Sequence, residues 1–482
     1  MPPWNRTRLL AAAAASASLT ACATVGPNFQ APAAPVAAGY AMAGDTASRI
    51  PVLGASAVDA RAWWTAFGSP DLDRTIQQAL SDSPTLAAAD ATLLQAREAA
   101  SAERQAPTGG LNASAERTRI NLAAFGIPGF PSPTVNQYSV GGNITYDLDL
   151  FGGLRRQTED AQAQAEAQAN RAQAAYLTLT GNVAMAAVRI ATLRAQIAAI
   201  ASVIDEDAKN LEFIRKAQAA GAAAPAAQVS ARAQMVQDQA LLPDLNQQLA
   251  EARHGLALLV GHAPADWTAP DFDLGALTLP ANIPVELPSE LVRRRPDILA
   301  AEADLHAATA NIGVQAAKLY PNVRLSAALA QTSLVPEKLF QYDFSGWNFG
   351  PAVSVPIFGR DQLKARQRAA EAAAKVANAR YQQTVLTAFT QVADVLQALA
   401  NDEAAVAAQD QARQAAEQDL KNTEFAYQKG GGTLPEVTQA QRRLSETRQA
   451  YALAQGKRYA DLVRLYIATA ADWRAPVRTA AN

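Results

Sequence analysis

Cysteine is almost missing from this chain. Its 482 residues contain one, Cys22, so there is no disulfide framework and no multi-cysteine metal site. Histidine is nearly as scarce: His254, His262 and His306 form neither an HExxH motif nor any close ligand pair. Gly430-Gly431-Gly432 lacks the Lys-Ser/Thr of a phosphate loop, and no GxSxG elbow occurs. Neither charge sign dominates, with 42 Lys and Arg against 44 Asp and Glu, which gives no electrostatic case for a nucleic-acid partner. Beyond the N-terminus no run of about 18 apolar residues free of charge is seen. No transmembrane helix is therefore expected, and a membrane crossing would have to use β-strands. Enzymatic activity, a cofactor and a resident metal are not expected either; Asp147 and Asp149 have no nameable acidic partner for glycosidase chemistry.

Aromatics are thin, at 6% of residues against 49% hydrophobic, and 114 of the residues are Ala. Alanine fills little volume but is the best helix former and lets helices approach closely. Such a composition suits long, thin helical packing better than thick globular cores.

What is present begins with a basic start, Arg6 and Arg8, then an apolar run from Leu9 to Ala17 and a small-residue exit. That is the pattern of an export signal over 1–21, too short to span a bilayer. Leu19-Thr20-Ala21-Cys22 resembles a bacterial lipobox, with lipid attached to Cys22 after cleavage. Chance placement of the Cys in a signal cleaved elsewhere is the alternative. The absence of Asp at Ala23 and Thr24 resembles outer-membrane sorting. Residues 22–58, rich in Pro, Ala and Gly, read as a lipidated N-terminal extension.

The remainder says nearly the same thing twice, in 59–280 and 281–470, followed by a tail at 471–482. Each half reads as helix, strand pair, very long helix, glycine turn and second long helix. Leu150-Phe151-Gly152 is echoed by Ile357-Phe358-Gly359, and Gly221 by Gly430. A period near 209 residues indicates internal duplication rather than a short-repeat solenoid. Strands are expected at about 108–122, 135–150, 321–333 and 343–358. In the second, Tyr138, Val140, Ile144, Tyr146 and Leu148 alternate with Ser139, Asn143, Thr145, Asp147 and Asp149, a period of two with one greasy and one hydrated face. Trp347, Phe349, Val353, Val355 and Ile357 repeat this in the fourth. A soluble, half-buried sheet would show the same alternation.

Long helices are expected over 154–219 and 360–428, with partners at 227–260 and 437–467 and a shorter helix at 296–320. Heptad seams support them: Ile190, Leu193, Ile197, Ile200, Ile204, Leu211 and Ile214; Leu242, Leu245, Leu249, Ala252, Leu256 and Leu259; Val385, Phe389, Val392, Leu396, Leu399 and Val406. Each of the two longest runs about 65 residues, roughly 100 Å at 1.5 Å per residue.

Four strands cannot close a barrel, and open edges do not survive in lipid. Two chains would give an eight-stranded barrel filled by its own side chains, whereas three would give about twelve strands and a lumen. The stretch LPSELVRRRPDILAAEADLHAATANIGVQAAKLYPN at Leu287–Asn322 is similar to the hallmark of the outer-membrane efflux factors. CATVGPNFQAP, WWTAFGSPDLD and WNFGPAVSVPIFG resemble the same TolC/OprM-like, NodT-type lipoprotein family. The resemblance implies a mixed α and β membrane fold: a trimeric 12-stranded β-barrel, four strands per chain, continued by a 12-helix α-barrel tunnel. It implies a homotrimer in the outer membrane of a Gram-negative bacterium, with a periplasmic adaptor and an inner-membrane transporter of the RND type as partners. Passive conduction of small toxic molecules would be its role. A duct for protein secretion and a non-conducting lipid-anchored spacer are the alternatives.

On that reading Asn143, Thr145, Asp147 and Asp149 face the barrel lumen, and Tyr138, Tyr146, Trp347 and Phe349 face lipid. The helical tips at 217–226 and 427–436 would form the aperture and contact the adaptor through Gln218, Gly221, Pro225, Tyr427, Gly430, Glu436 and Gln439. In the family an arginine-tyrosine pair precedes the tip glycine; only Tyr427 and Gly430 fit. Gln439-Ala440-Gln441 stands where the family often has Asp-Ala-Gln, so Glu436 is expected to supply any acidic ring. Simple helix capping also explains the glycines and prolines. The Arg293–Arg295 run suits a helix start, with phosphate or lipid-headgroup binding as the alternative.

Overall fold

The computed structural model describes residues 24–33, 39, 40, 42, 60–121, 133–221, 223–279 and 291–469. The export signal, Cys22, most of the first hairpin's tip and the tail at 471–482 lie outside the described residues.

A 3-10 segment, Ala60–Phe67, leads into α1 (Pro70–Asp82) and α2 (Pro84–Ala102). Ser69 starts α1 by accepting the Leu72 N–H, with Pro70 in the first turn and Asp71 and Asp73 at its positive end. Strands β1 (Thr108–Arg119) and β2 (Thr134–Asp147) follow, then α3 (Gly153–Ala219), α4 (Pro225–Gln239) and α5 (Leu242–Val260). After α6 (Pro296–Ala317) come β3 (Asn322–Ser333), β4 (Ser345–Ser354), α7 (Arg360–Gln428) and α8 (Leu434–Thr469). The order helix, strand pair, long helix, turn, helix thus occurs twice. The LFG and IFG echoes give the same backbone device: Gly152 and Gly359 take φ of 75° and 74°, turning the chain into α3 and α7.

Three expectations need correction. The helix expected over 227–260 is two, because Pro243 has no N–H and its ring crowds the carbonyl of Gln239, breaking the ladder between α4 and α5. β2 ends at Asp147 and β4 at Ser354, short of the expected 150 and 358. Finally, α3 does contain a stretch long and apolar enough to cross a membrane, but half of that window is buried inside the protein. Within α3, Leu179, Val183, Ala187, Ile190 and Leu193 belong to a packed core.

The chain forms two compact units. One comprises Met1–Pro32, Leu94–Ala167 and Ala301–Tyr381. It holds the antiparallel sheet, in the order β1-β2-β3-β4. The VGPNF segment of the N-terminal motif docks here. Val25 N–H donates to the Phe151 carbonyl at 3.1 Å, and buried Arg156 donates to the Val25 carbonyl and, at 2.6 Å, to Asn28 Oδ1. Gly26, at φ 90°, lies so close to Gly313 that a Cβ would come within 2.5 Å of its Cα. Phe29 stacks on His306 with 4.4 Å between centroids, and His306 meets Glu159 at 2.9 Å.

The other unit comprises Ala33–Leu93, Gln168–Ala300 and Gln382–Asn482. The WWTAF motif is its core: Trp64 donates to Asp73 at 2.8 Å and Trp63 stacks on Tyr466 at 5.4 Å. Around them pack Val183 and Ile190 of α3, Leu256 of α5 and Leu462 of α8. The RRRPD run begins α6, and its last arginine is spent internally. Arg295 is buried and donates to the Ala468 carbonyl near the end of α8, to Gln391 and, in a fork, to Asp297.

Candidate functional site

Register decides which side chains share a face of the sheet. Ile144 sits opposite Gly109 on β1 and Ala327 on β3, which in turn faces Phe349; Gly142 aligns likewise with Leu111, Leu329 and Trp347. Tyr138 and Tyr146 occupy the same face of β2, so the four aromatic positions read from the sequence do lie on one side. That side is apolar and open: Leu111, Trp347 and Phe349 are 93%, 76% and 66% exposed. Ile144 and Leu329 beside them are also exposed, so the large apolar side chains at the middle of this face are left uncovered among the described residues.

The opposite face carries Asn143, Thr145 and Asp147, joined by polar partners across strands. Thr145 and Thr108 share a hydroxyl hydrogen bond at 2.8 Å, as do Ser114 and Ser139. Asp147 accepts from Arg324 at 3.0 Å and from Asn322. Asp149 is a correction. It lies past the strand end with φ 45°, its side chain is 7% exposed, and its carboxylate accepts the Leu154 and Arg155 N–H groups at 2.9 and 3.0 Å. It caps α3 rather than lining a strand face.

At the two helical turns the glycines end their helices in the left-handed region, Gly221 at φ 74° and Gly430 at 77°. Gly221 N–H donates to the carbonyl of half-buried Gln218, and Gly431 N–H reaches back to Ala426 in the second turn. Pro225 opens α4. Tyr427 packs edge-on against Phe213 of α3, ring centroids 5.9 Å apart, so the end of α7 meets α3 through an aromatic contact. Glu436 is exposed and accepts the Thr433 N–H at 2.7 Å, which with the Thr433 hydroxyl holds its carboxyl below the usual range. Gln439, one turn on, is exposed.

Sequence reasoning missed two acid pairs, with Asp207, Asp402 and Asp461 buried and Asp238 half-buried. Asp207 of α3 faces Asp238 of α4, with Arg442 of α8 nearby; burial and the neighbouring carboxylate push Asp207 up to about 7. Its Oδ2 has no donor among the described residues. Asp402 of α7 faces Asp461 of α8 in the same manner: each Oδ1 meets a cation, Lys457 at 2.9 Å and Arg464 at 2.8 Å, and neither Oδ2 has a described donor. The signal was in the heptads. The seven-residue step from Ile204 to Leu211 skips Asp207, and that from Leu399 to Val406 skips Asp402.

An open sheet with one greasy exposed face, joined to helices of 67 and 69 residues, places the chain in the class of membrane-channel proteins. The model of the outer membrane efflux protein family matches residues 75–262 and 287–471, and the chain belongs to that family. It is 30% identical to the pyoverdine export outer membrane protein OpmQ of Pseudomonas aeruginosa over 424 residues, covering 87% of this chain and 89% of that protein. With nodulation protein T of Rhizobium leguminosarum bv. trifolii the identity is 27% over 447 residues, 90% and 91% of the two chains. The solved outer-membrane channel OprN superposes with a TM-score of 0.82 at 26% identity, covering 93% of this chain and 99% of that one.

Proposed function

We propose that three copies of this chain form the outer-membrane exit duct of a tripartite efflux system, passing small molecules from an inner-membrane transporter and periplasmic adaptor to the exterior. The observation that carries this is the sheet. β1 and β4 are its edges, unpaired among the described residues, and one face exposes Leu111, Ile144, Leu329, Trp347 and Phe349 across its middle. In lipid such edges must find partners. Three copies supply twelve strands, with Tyr138, Tyr146, Trp347 and Phe349 against lipid and Asn143, Thr145 and Asp147 toward the lumen.

The family model matches once in each half, at 75–262 and 287–471, which supports an internal duplication, as does the repeated element order. Lipid at Cys22 fits a chain in which Thr24 and Val25 are held beside the end of the sheet, Thr24 against Gly152 and Val25 bonded to Phe151. The tips around Gly221 and Gly430 serve as aperture and adaptor contact, with Glu436 contributing the acidic charge. The cargo is small; pyoverdine export by the relative OpmQ illustrates the class. Purified protein in a planar bilayer tests the proposal: discrete single-channel conductance from a species of three-chain mass is the expected result. Absence of conductance from correctly inserted protein would show a spacer instead.

A further inference from the structure

The apolar face of the sheet provides a ruler. Tyr138 and Tyr146 lie eight positions apart on one face of β2, about 27 Å at 3.4 Å per residue. With the 35–45° tilt of barrel strands that is about 20 Å of height, close to the roughly 25 Å apolar band bounded by aromatic girdles. Tyr146 marks the end next to α3, and Tyr138 the end next to the hairpin turns.

One pairing step beyond Tyr138, on the same face of β1, stands Arg117 opposite Asn136, and one step further Arg119 opposite Thr134. Both arginines are exposed. Neither forms an ion pair or side-chain hydrogen bond with another described residue. The acid between the tyrosine level and these positions, Glu116, points to the opposite face, where its partner is Gln137. Two arginines whose backbone positions are about 7 Å apart therefore share the lipid-facing side just past the apolar band. Arginine's planar fork matches phosphate oxygens two at a time, and at this depth it meets headgroups rather than hydrocarbon.

We propose that Arg117 and Arg119 form a binding site for the phosphate-bearing headgroup of an outer-leaflet lipid, one site per chain. The continuity of the pair with the apolar face selects a membrane lipid over a free phosphate, because acyl chains would lie on Leu111 and its neighbours while the phosphates meet the guanidiniums. The inference rests on the outer-membrane reading above.

The test is lipid titration of the full-length assembled protein, followed by native mass spectrometry. Probes are a bis-phosphorylated glycolipid, the same glycolipid stripped of phosphate, and inorganic phosphate as competitor. Wild type should bind the phosphorylated lipid at least about tenfold more tightly than the stripped one. Arg117→Gln/Arg119→Gln should lose that preference and leave binding of the stripped lipid unchanged, and Arg117→Lys/Arg119→Lys should fall between them. An unchanged preference in the glutamine variant overturns the proposal, and so does full competition by millimolar inorganic phosphate. Bilayer conductance of the same variant, expected at the wild-type value, reports separately on whether the channel reading holds.

Discussion

Glu436 accepts the Thr433 N–H at 2.7 Å and so closes one half of a Thr-x-x-Glu cap on α8. Its proposed part in an acidic aperture is a separate property, and two substitutions separate them. Glu436→Gln keeps a carbonyl acceptor for the cap but removes the charge; Glu436→Ala removes both. Hydrogen exchange at the Thr433 amide should be near wild type in the first and faster in the second, while cation preference in a bilayer should fall equally in both. Cation preference equal to wild type in either variant would remove Glu436 from the aperture. Because the carboxyl is held below its usual range, the cap is in place above about pH 4.5 and is lost as pH falls through the lowered value. Asp149 bears on stability. Its buried carboxylate receives two N–H groups of α3 and its backbone is left-handed, so Asp149→Ala should cost about 1–2 kcal/mol in denaturant unfolding. Asp149→Asn, which tolerates that backbone and keeps one acceptor, should cost less.

Among the elements, α3 and α8 touch closely where a glycine of one faces a β-branched side chain of the other. A Cβ on Gly456 would lie 2.1 Å from Thr192 Oγ1, and one on Gly181 would lie 2.3 Å from Ile467 Cδ1. Gly456→Ala gains helix propensity of about 1 kcal/mol, yet crowding a buried β-branched neighbour costs about 1–3 kcal/mol. The net should be destabilising, and Thr192→Ala in the same chain should restore most of the loss; a double-mutant cycle by thermal unfolding measures the coupling. Additive effects would mean that the helices simply move apart. This small-residue packing is what the alanine-rich composition implied. The strand and helix positions were also legible, because two-residue alternation and heptads each follow from which face is covered. Where reading failed, pattern outlasted structure. Leu148 and Leu150 continue the β2 alternation after the ladder has ended, which placed Asp149 on a strand face it does not occupy. The long seam of α5 likewise masked the break that Pro243 imposes just after its first residue.

For the molecule as a whole, the acid pairs set a dependence on pH that the charge balance did not announce. A carboxylate has no proton to donate, so the unpartnered Oδ2 of Asp207 can bond Asp238 only if the pair holds one proton. Polar residues at seam positions fix helix register, and a proton shared by Asp207 and Asp238 would let this pair do so. The sign follows from linkage: Asp207 is raised from 3.8 to about 7, so the folded chain binds the proton more tightly than the unfolded one. Its stabilisation is complete below about pH 4 and is lost as pH rises through about 7, an effect on the order of a few kcal/mol per chain. Asp461, also raised by burial and its partner acid, acts in the same direction. Acids with lowered values, such as Glu159 and Glu417, act oppositely but below about pH 4.5, outside the window from pH 5 to 8. Wild-type protein should therefore unfold at a lower temperature at pH 8 than at pH 5. Asp207→Asn, whose amide donates to Asp238 at both values, should show a smaller difference. Hydrogen exchange across Val203–Leu211, corrected for its intrinsic base catalysis, should accelerate with pH in wild type and not in the variant. If wild type and variant respond identically, the shared proton does not hold α3 to α4, and the pair is ionised in the folded state.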